Sequence, residues 1–422
     1  MNKSLFLIFI VSVCFFTSCQ RQQTLIPEIA MIQIVDRLGM NETIKEKEKI
    51  ELFSHINFED PQPYQKVVRV MGKKGDKTHK TIITTYHDNG FLKEYLEAVS
   101  NRAKGIYREF YPDGTKKIEA FVMEGVADLT ESAKLTFLFE GDCTVYSPNG
   151  QLEVIFPYKK GKLSGNVNYY YENKMLKKTL PYEDDFLNGE AQFFDKLGTL
   201  LGSTNYQKGK KHGKSIFVGD QNTPYFEEFY DEGRLIDAIY YDFDKKEIAR
   251  IENGFGKQII FENKKLKKEI EYQNGYIEGV VKNFYPSGNL ESQHQLHQNA
   301  KHGPEWLYFD EKQLKPKLFL TWYQDELHGS QKSWYSDGNL ESQREMIHNV
   351  KHGQLIAWYR QGGVMMIEEY EQNKLKQGAY FHRGNQDKAS EVIDGKGLAT
   401  IFDADGFFLQ KVRYEKGEIV NE

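Results

Sequence analysis

One stretch of the chain is nearly written twice. Residues 285–303 read YPSGNLESQHQLHQNAKHG, and residues 335–353 read YSDGNLESQREMIHNVKHG. The blocks 288–293 and 338–343 are identical, and both copies end in Lys-His-Gly. The offset is 50 residues, and a weaker copy lies between, so the true period is about half of that. Self-similarity at this period means a repeat array, in which each unit buries its apolar surface only by stacking on its neighbours. Such an array presents a surface rather than a pocket, which argues against an enzyme.

A chain of 422 residues would ordinarily divide into two or three globular domains, but arrays grow by adding units instead of cores. Tyr 26, Phe 28 and Gly 35 against only 11 Pro suit many short strands joined by glycine turns. A net charge of -5 gives no general attraction to nucleic acid, which needs a basic footprint. Local lysine clusters at 159, 160 and 162, at 208, 210 and 211, and at 264, 265, 267 and 268 read as a solvated, aggregation-resistant sheet surface. The sharper alternative is a patch for anionic lipid or glycan.

Two signals recur along the chain. Five residues beyond Gly165, Gly189, Gly213, Gly279, Gly303, Gly329, Gly353 and Gly397 stand Tyr170, Phe194, Val218, Phe284, Tyr308, Trp334, Trp358 and Phe402. Seven of these eight are aromatic in a chain that is 14% aromatic, so the spacing is not chance; at Gly378 it fails, on Arg383. Next come turns such as Asp88-Asn89-Gly90, Pro112-Asp113-Gly114, Pro148-Asn149-Gly150 and Ser336-Asp337-Gly338, followed two residues on by Leu92, Leu152 or Leu340. Asn-Gly and Asp-Gly are expected to make tight two-residue hairpins, because both residues tolerate positive φ. Each unit is therefore a strand, a tight turn, a second strand, and a lysine-rich turn closed by Gly. A single hairpin is not stable alone, and stacked hairpins with aligned aromatic pairs are. The predicted fold is all-β: an elongated, twisted, antiparallel sheet of stacked hairpins over 86–419.

Residues 19–85 lack the repeat and read as a small α+β cap. Residues 30–36 predict a strand, Thr43 an N-cap for a short helix through Phe53, and 64–71 a further strand. Residues 1–18 are expected to be a signal peptide: one early Lys3, then an apolar run from Leu5 to Phe16 that is too short to span a bilayer. The run ends in Phe16-Thr17-Ser18-Cys19, which resembles a bacterial lipoprotein signal. That resemblance implies a lipid on Cys19, an anchor in the cell envelope and, with Gln20 next, export to the outer membrane. Of the three cysteines, Cys14 would leave with the signal and Cys19 would carry lipid, so Cys143 is left without a disulfide partner. Its alternating surroundings predict a half-buried strand thiol.

The turns Tyr-Pro-Asp-Gly, Tyr-Pro-Ser-Gly and Tyr-Ser-Asp-Gly, each leading into a strand and then Lys-x-x-Gly, resemble the MORN-repeat variant family. That family includes YwqK-like proteins to which an antitoxin role is given. The resemblance covers 86–419 and implies a hairpin array used for interaction or scaffolding. The standard MORN repeat, with its Tyr-Glu-Gly strand, is not matched, so lipid binding by that relative is not carried over.

No P-loop, dinucleotide fingerprint, nucleophile elbow or His-Glu-x-x-His occurs, and no catalytic residue, cofactor or metal is assigned. His212, His302, His328 and His352 each precede a closing Gly. They read as turn residues repeated by descent, with a metal ladder as the alternative. The expected function is a lipid-anchored scaffold that binds an envelope or surface protein, with Trp306, Trp322, Trp334, Trp358, His302, His328 and His352 as the contact surface. An antitoxin-type partner and a glycan-binding module are the alternatives, since exposed Trp and Tyr on a flat sheet stack on sugars.

Overall fold

The computed structural model describes residues 29–53, 55–72, 80–219, 224–384 and 387–420. The signal stretch and Cys19 lie outside the described residues. Within them the chain forms 35 strands and two short helices, Lys47–Phe53 and Glu131–Lys134. The all-β expectation holds, and hairpin follows hairpin in antiparallel register. Contacts divide the chain into one unit of residues 1–151 with 158–161, and a second of 152–157 with 162–422.

In the first unit, Ile29–Asp36 lies between Asn41–Ile44 and Gln65–Gly72, and the sheet then continues in chain order to Leu138–Tyr146. Thr43 is not a helix cap. It sits in a strand opposite Gln33, and the helix begins only at Lys47. The cause is the preceding turn: Asp36 Oδ1 accepts from the Leu38 and Met40 amides, folding 41–44 back as a strand with Ile44 buried. Two cores follow, one around Ile32, Val68, Val70 and Tyr95, the other around Leu96, Tyr107, Val122 and Phe137. Cys143 is a strand thiol, as its alternation predicts, but buried rather than half-buried. Burial, and then the Glu109 carboxylate, push it up to about 11. At pH 8 a native chain reduced beforehand is expected to leave Cys143 unmodified by iodoacetamide, while urea-unfolded chain labels it; mass spectrometry of the peptide containing 143 distinguishes the two.

Two kinds of turn alternate in the second unit, and they are not distributed as the glycine motifs suggest. The Asp-Gly and Ser-Gly loops have three residues: the Gly288 amide donates to the Tyr285 carbonyl at 2.8 Å and the Tyr285 amide to the Asn289 carbonyl at 2.9 Å. Positive φ falls on the glycine alone, Gly288 at 93° and Gly338 at 98°. This is a type I turn closed by a left-handed residue, not the expected two-residue hairpin. Its Asp supplies an acceptor instead of a positive φ, as where Asp337 Oδ1 takes the Asn339 amide at 2.9 Å. The strand-end aromatic and the following Leu are cross-strand partners across this loop, as in Phe284 with Leu290 and Trp334 with Leu340.

Two-residue turns lie at the opposite edge, where both residues have positive φ: Gln298-Asn299, Gln324-Asp325, His348-Asn349 and Gln372-Asn373. Glycines of the Lys-His-Gly type do not close these turns. Gly303 lies inside the outgoing strand at a φ of 85°, beside a shift in register.

Both edges tie one repeat to the next. Tyrosine hydroxyls that open the three-residue loops donate to main-chain carbonyls further along: Tyr285 to Tyr308 at 2.9 Å, Tyr335 to Trp358 at 2.8 Å. At the other edge, the second turn residue grips the earlier hairpin twice. Asn349 donates its amide to the Leu327 carbonyl at 2.9 Å, and its Oδ1 accepts the Leu327 amide at 2.8 Å. Asn373 does the same with Lys351, and Asp325 with Lys301. Only Asn or Asp combines a left-handed backbone with a short side-chain acceptor. Asn349→Ala is expected to cost about 2 kcal/mol, from the lost bond and the left-handed strain together, while Asn349→Gly loses only the bond, about 1 kcal/mol. Urea midpoints and amide exchange of the 320–350 peptides read both.

Candidate interaction surface

The four tryptophans do not form one patch. Trp306 and Phe319 are direct cross-strand partners, with ring centroids 4.5 Å apart. Trp334 stacks on Trp306 at 5.9 Å and 26°, and Tyr308 lies 6.5 Å from Trp306 at 12°. Trp322 is three residues beyond Phe319 on the same strand and so points to the opposite face. There its indole N–H donates to Glu305 Oε2 at 2.7 Å, and the Lys301 ammonium sits 4.7 Å from the ring centre. Lys301 also donates to both Glu305 oxygens, at 2.9 and 2.8 Å. Glu305 is buried, and this charge-assisted set is what makes its burial tolerable. Trp358 ends its strand opposite Val364, in the position Trp334 occupies in the preceding repeat.

The histidines sort differently from the expectation. His302 and His328 flank Tyr323, at ring distances of 5.2 and 6.0 Å. His352 makes no ring contact among the described residues and faces Glu371 instead. In its place come two histidines that the sequence reading did not single out. His297 is 5.9 Å from His302, and His348 is 4.8 Å from His328 and 6.3 Å from Tyr323. The result is a strip of four imidazoles and one phenol along the two-residue-turn edge. Glu278 holds His297 and Glu326 holds His348, each through Nδ1. The Gln298 amide, then His297, keep the Glu278 carboxyl below the usual range. Tyr323, His297, His328 and His348 are exposed. Among the described residues no group of three or more His, Cys, Asp or Glu is arranged to hold a metal ion.

Three segments, 139–160, 277–298 and 327–348, match the MORN repeat variant. The matches at 277–298 and 327–348 each run from the strand before a three-residue loop to the start of the next two-residue turn, so one MORN-variant repeat is one such hairpin. No curated protein matches the chain. Among solved structures, a TcdB2–TccC3 complex aligns at 10% identity over 90% of this chain and 24% of that one, with a TM-score of 0.13. A Tc holotoxin pore of Photorhabdus luminescens aligns at 12% identity over 85% and 19%, with a TM-score of 0.12. The chain thus spans a quarter or less of the length of either.

A second recurring device lies in the core. Glu228 is buried and accepts from Tyr230 at 2.9 Å, Tyr240 at 2.8 Å and Gln258 at 2.8 Å. Residues 140 positions later repeat it: Glu368 accepts from Tyr370 at 3.0 Å and Tyr380 at 2.6 Å. A lysine lies over a tyrosine in each, Lys211 at 4.4 Å from Tyr230 and Lys351 at 4.7 Å from Tyr370. Leu235 and Leu375 are wholly buried beside them. Each carboxylate is saturated by tyrosine donors inside an apolar core, so its role is structural.

Proposed function

We propose that this protein is an interaction scaffold of MORN-variant repeats that binds a partner protein, and that a lipid on Cys19 anchors it in the cell envelope, at the outer membrane. One observation carries the binding reading: exposed Tyr323 set among His297, His302, His328 and His348 on a turn edge that the Asn and Asp clamps hold in register. Aromatic side chains preorganised on a stiff edge contribute contact area at little entropic cost. In this reading the protein binds a partner and does not turn over a substrate; the buried carboxylates of the second unit, Glu228, Glu305 and Glu368, are engaged by donors within the sheet and serve the fold.

The partner is tested with a photo-crosslinking residue at Tyr323 and, as a control, at Lys257, in envelope extract of the source cell. One stoichiometric protein adduct at 323, absent at 257 and lost in His328→Ala, supports the scaffold; equal labelling at both positions rejects it. Anchoring is read separately by alkyne-fatty-acid labelling, which must disappear in Cys19→Ala.

A further inference from the structure

One row of side chains crosses the second unit perpendicular to its strands. Lys282, Gln293, Trp306, Phe319, Lys332 and Gln343 are successive cross-strand partners and so share one face. Two rings lie at the centre, with an amide and an ammonium on either side. At about 4.8 Å per strand, the row from Lys282 to Gln343 is roughly 24 Å long. Trp334 extends the centre, its plane within 26° of Trp306, while buried Tyr308, at 12°, backs Trp306 from within the sheet. Every member of the row is half-buried, so each keeps part of its surface in solvent.

We propose that this row is a binding platform for a linear neutral polysaccharide, distinct from the histidine–tyrosine edge. Flat apolar rings suit the C–H face of a sugar ring, and the bordering amides and ammonium groups suit its equatorial hydroxyls. The charge balance selects the ligand class. Lys282 lies 3.7 Å from Glu269, and Glu291 and Glu341 stand two residues from Gln293 and Gln343 on the same face. Lys317 stands likewise two residues from Phe319, and three lysines against three carboxylates leave no net positive charge to attract a polyanion. The same mixture of donors and acceptors matches hydroxyl groups, which are both. Trp322, on the opposite face and engaged with Glu305, takes no part.

Native gel electrophoresis of the full chain through hydroxyethylcellulose tests the assignment, with dextran sulfate and oligo-dT gels run beside it. Retardation by the neutral glucan is expected, falling about tenfold in apparent affinity in Trp306→Ala and about threefold in Gln343→Ala, while Lys257→Ala stays as wild type. Far-UV circular dichroism checks that each variant is folded, and Gln343→Ala decides if Trp306→Ala is not. No retardation by the neutral glucan, retardation unchanged by both row variants, or retardation by dextran sulfate or oligo-dT alone overturns the proposal.

Discussion

Gly254→Ala is expected to destabilise the second unit by about 3 kcal/mol or more, far beyond the effect of an ordinary surface turn. Gly254 has a φ of 82°, which alone costs a side chain about 1–2 kcal/mol. Its surroundings add more. An added Cβ would stand 2.4 Å from the Gly275 amide nitrogen and 2.8 Å from the Asn274 carbonyl carbon, both of them backbone. Backbone cannot swing aside as a side chain does, so the overlap forces two turns apart. These turns close a ring of main-chain hydrogen bonds: Gly254 to Ile236 at 2.6 Å, Gly275 to Gly254 at 3.0 Å, Leu235 to Gly275 at 3.0 Å. Buried Leu235 and Ile251 lie beside that ring. Gly288→Ala is the comparison, since its φ is 93° but nothing lies within 4 Å of the added carbon; it should cost only the conformational part, about 1 kcal/mol. Urea denaturation gives both values, and equal costs would show that the ring of turns does not hold the hairpins together. Gly395 meets Gly417 in the same way, at 2.5 Å, so Gly395→Ala should reproduce the effect in the later copy.

The sequence made the hairpin alternation legible because its strongest signal is local. The aromatic five residues past each Gly and the Leu past each loop are cross-strand partners a few residues apart, so Trp334 and Leu340 report one contact twice. The wrong assignment of turn type has an equally local cause. Gly114 at 85° supplies the only positive φ in its loop, because Asp113 bonds the Thr115 amide and needs no unusual backbone of its own. What stayed hidden depends on contacts between repeats. Asn349 acts on Leu327, 22 residues earlier, and nothing within its own hairpin announces that. His297 and His348 carry no such mark, because neither precedes a Gly: His297 ends the strand before its turn and His348 is the first residue of its own. The core duplication did leave a trace: Glu228, Tyr230, Leu235 and Tyr240 recur as Glu368, Tyr370, Leu375 and Tyr380 at one constant offset of 140. The residues between differ, so only the spacing of the buried positions carries the signal.

Glu368→Ala is expected to destabilise the second unit by about 4 kcal/mol, a large cost for a single polar change. Two buried hydroxyls, those of Tyr370 and Tyr380, lose their acceptor, at about 1–3 kcal/mol each, and a void replaces the removed atoms. Glu368→Gln keeps one oxygen acceptor and should cost about half as much. The same site sets the alkaline limit of the fold. Burial, and then the Glu368 carboxylate, hold the hydroxyls of Tyr370, Tyr380 and Tyr414 protonated above their ordinary range. In the earlier copy, burial and then Glu228 push Tyr272 up to about 12. A folded-state value raised above the unfolded one, about 10, means stability that is complete below pH 10 and drains away as pH rises through the folded value. For Tyr272 that window is pH 10 to about 12. Tyrosinate absorbance of these buried rings should therefore appear together with loss of β-sheet circular dichroism. In Glu368→Ala the charge that opposes ionisation is gone while the hydroxyls are left unpaired, so the alkaline transition should begin at lower pH than in the wild type. Tyrosinate forming in full while the sheet stays intact would show that these hydroxyls are open to solvent and that Glu368 does not bind the hairpins of this core together.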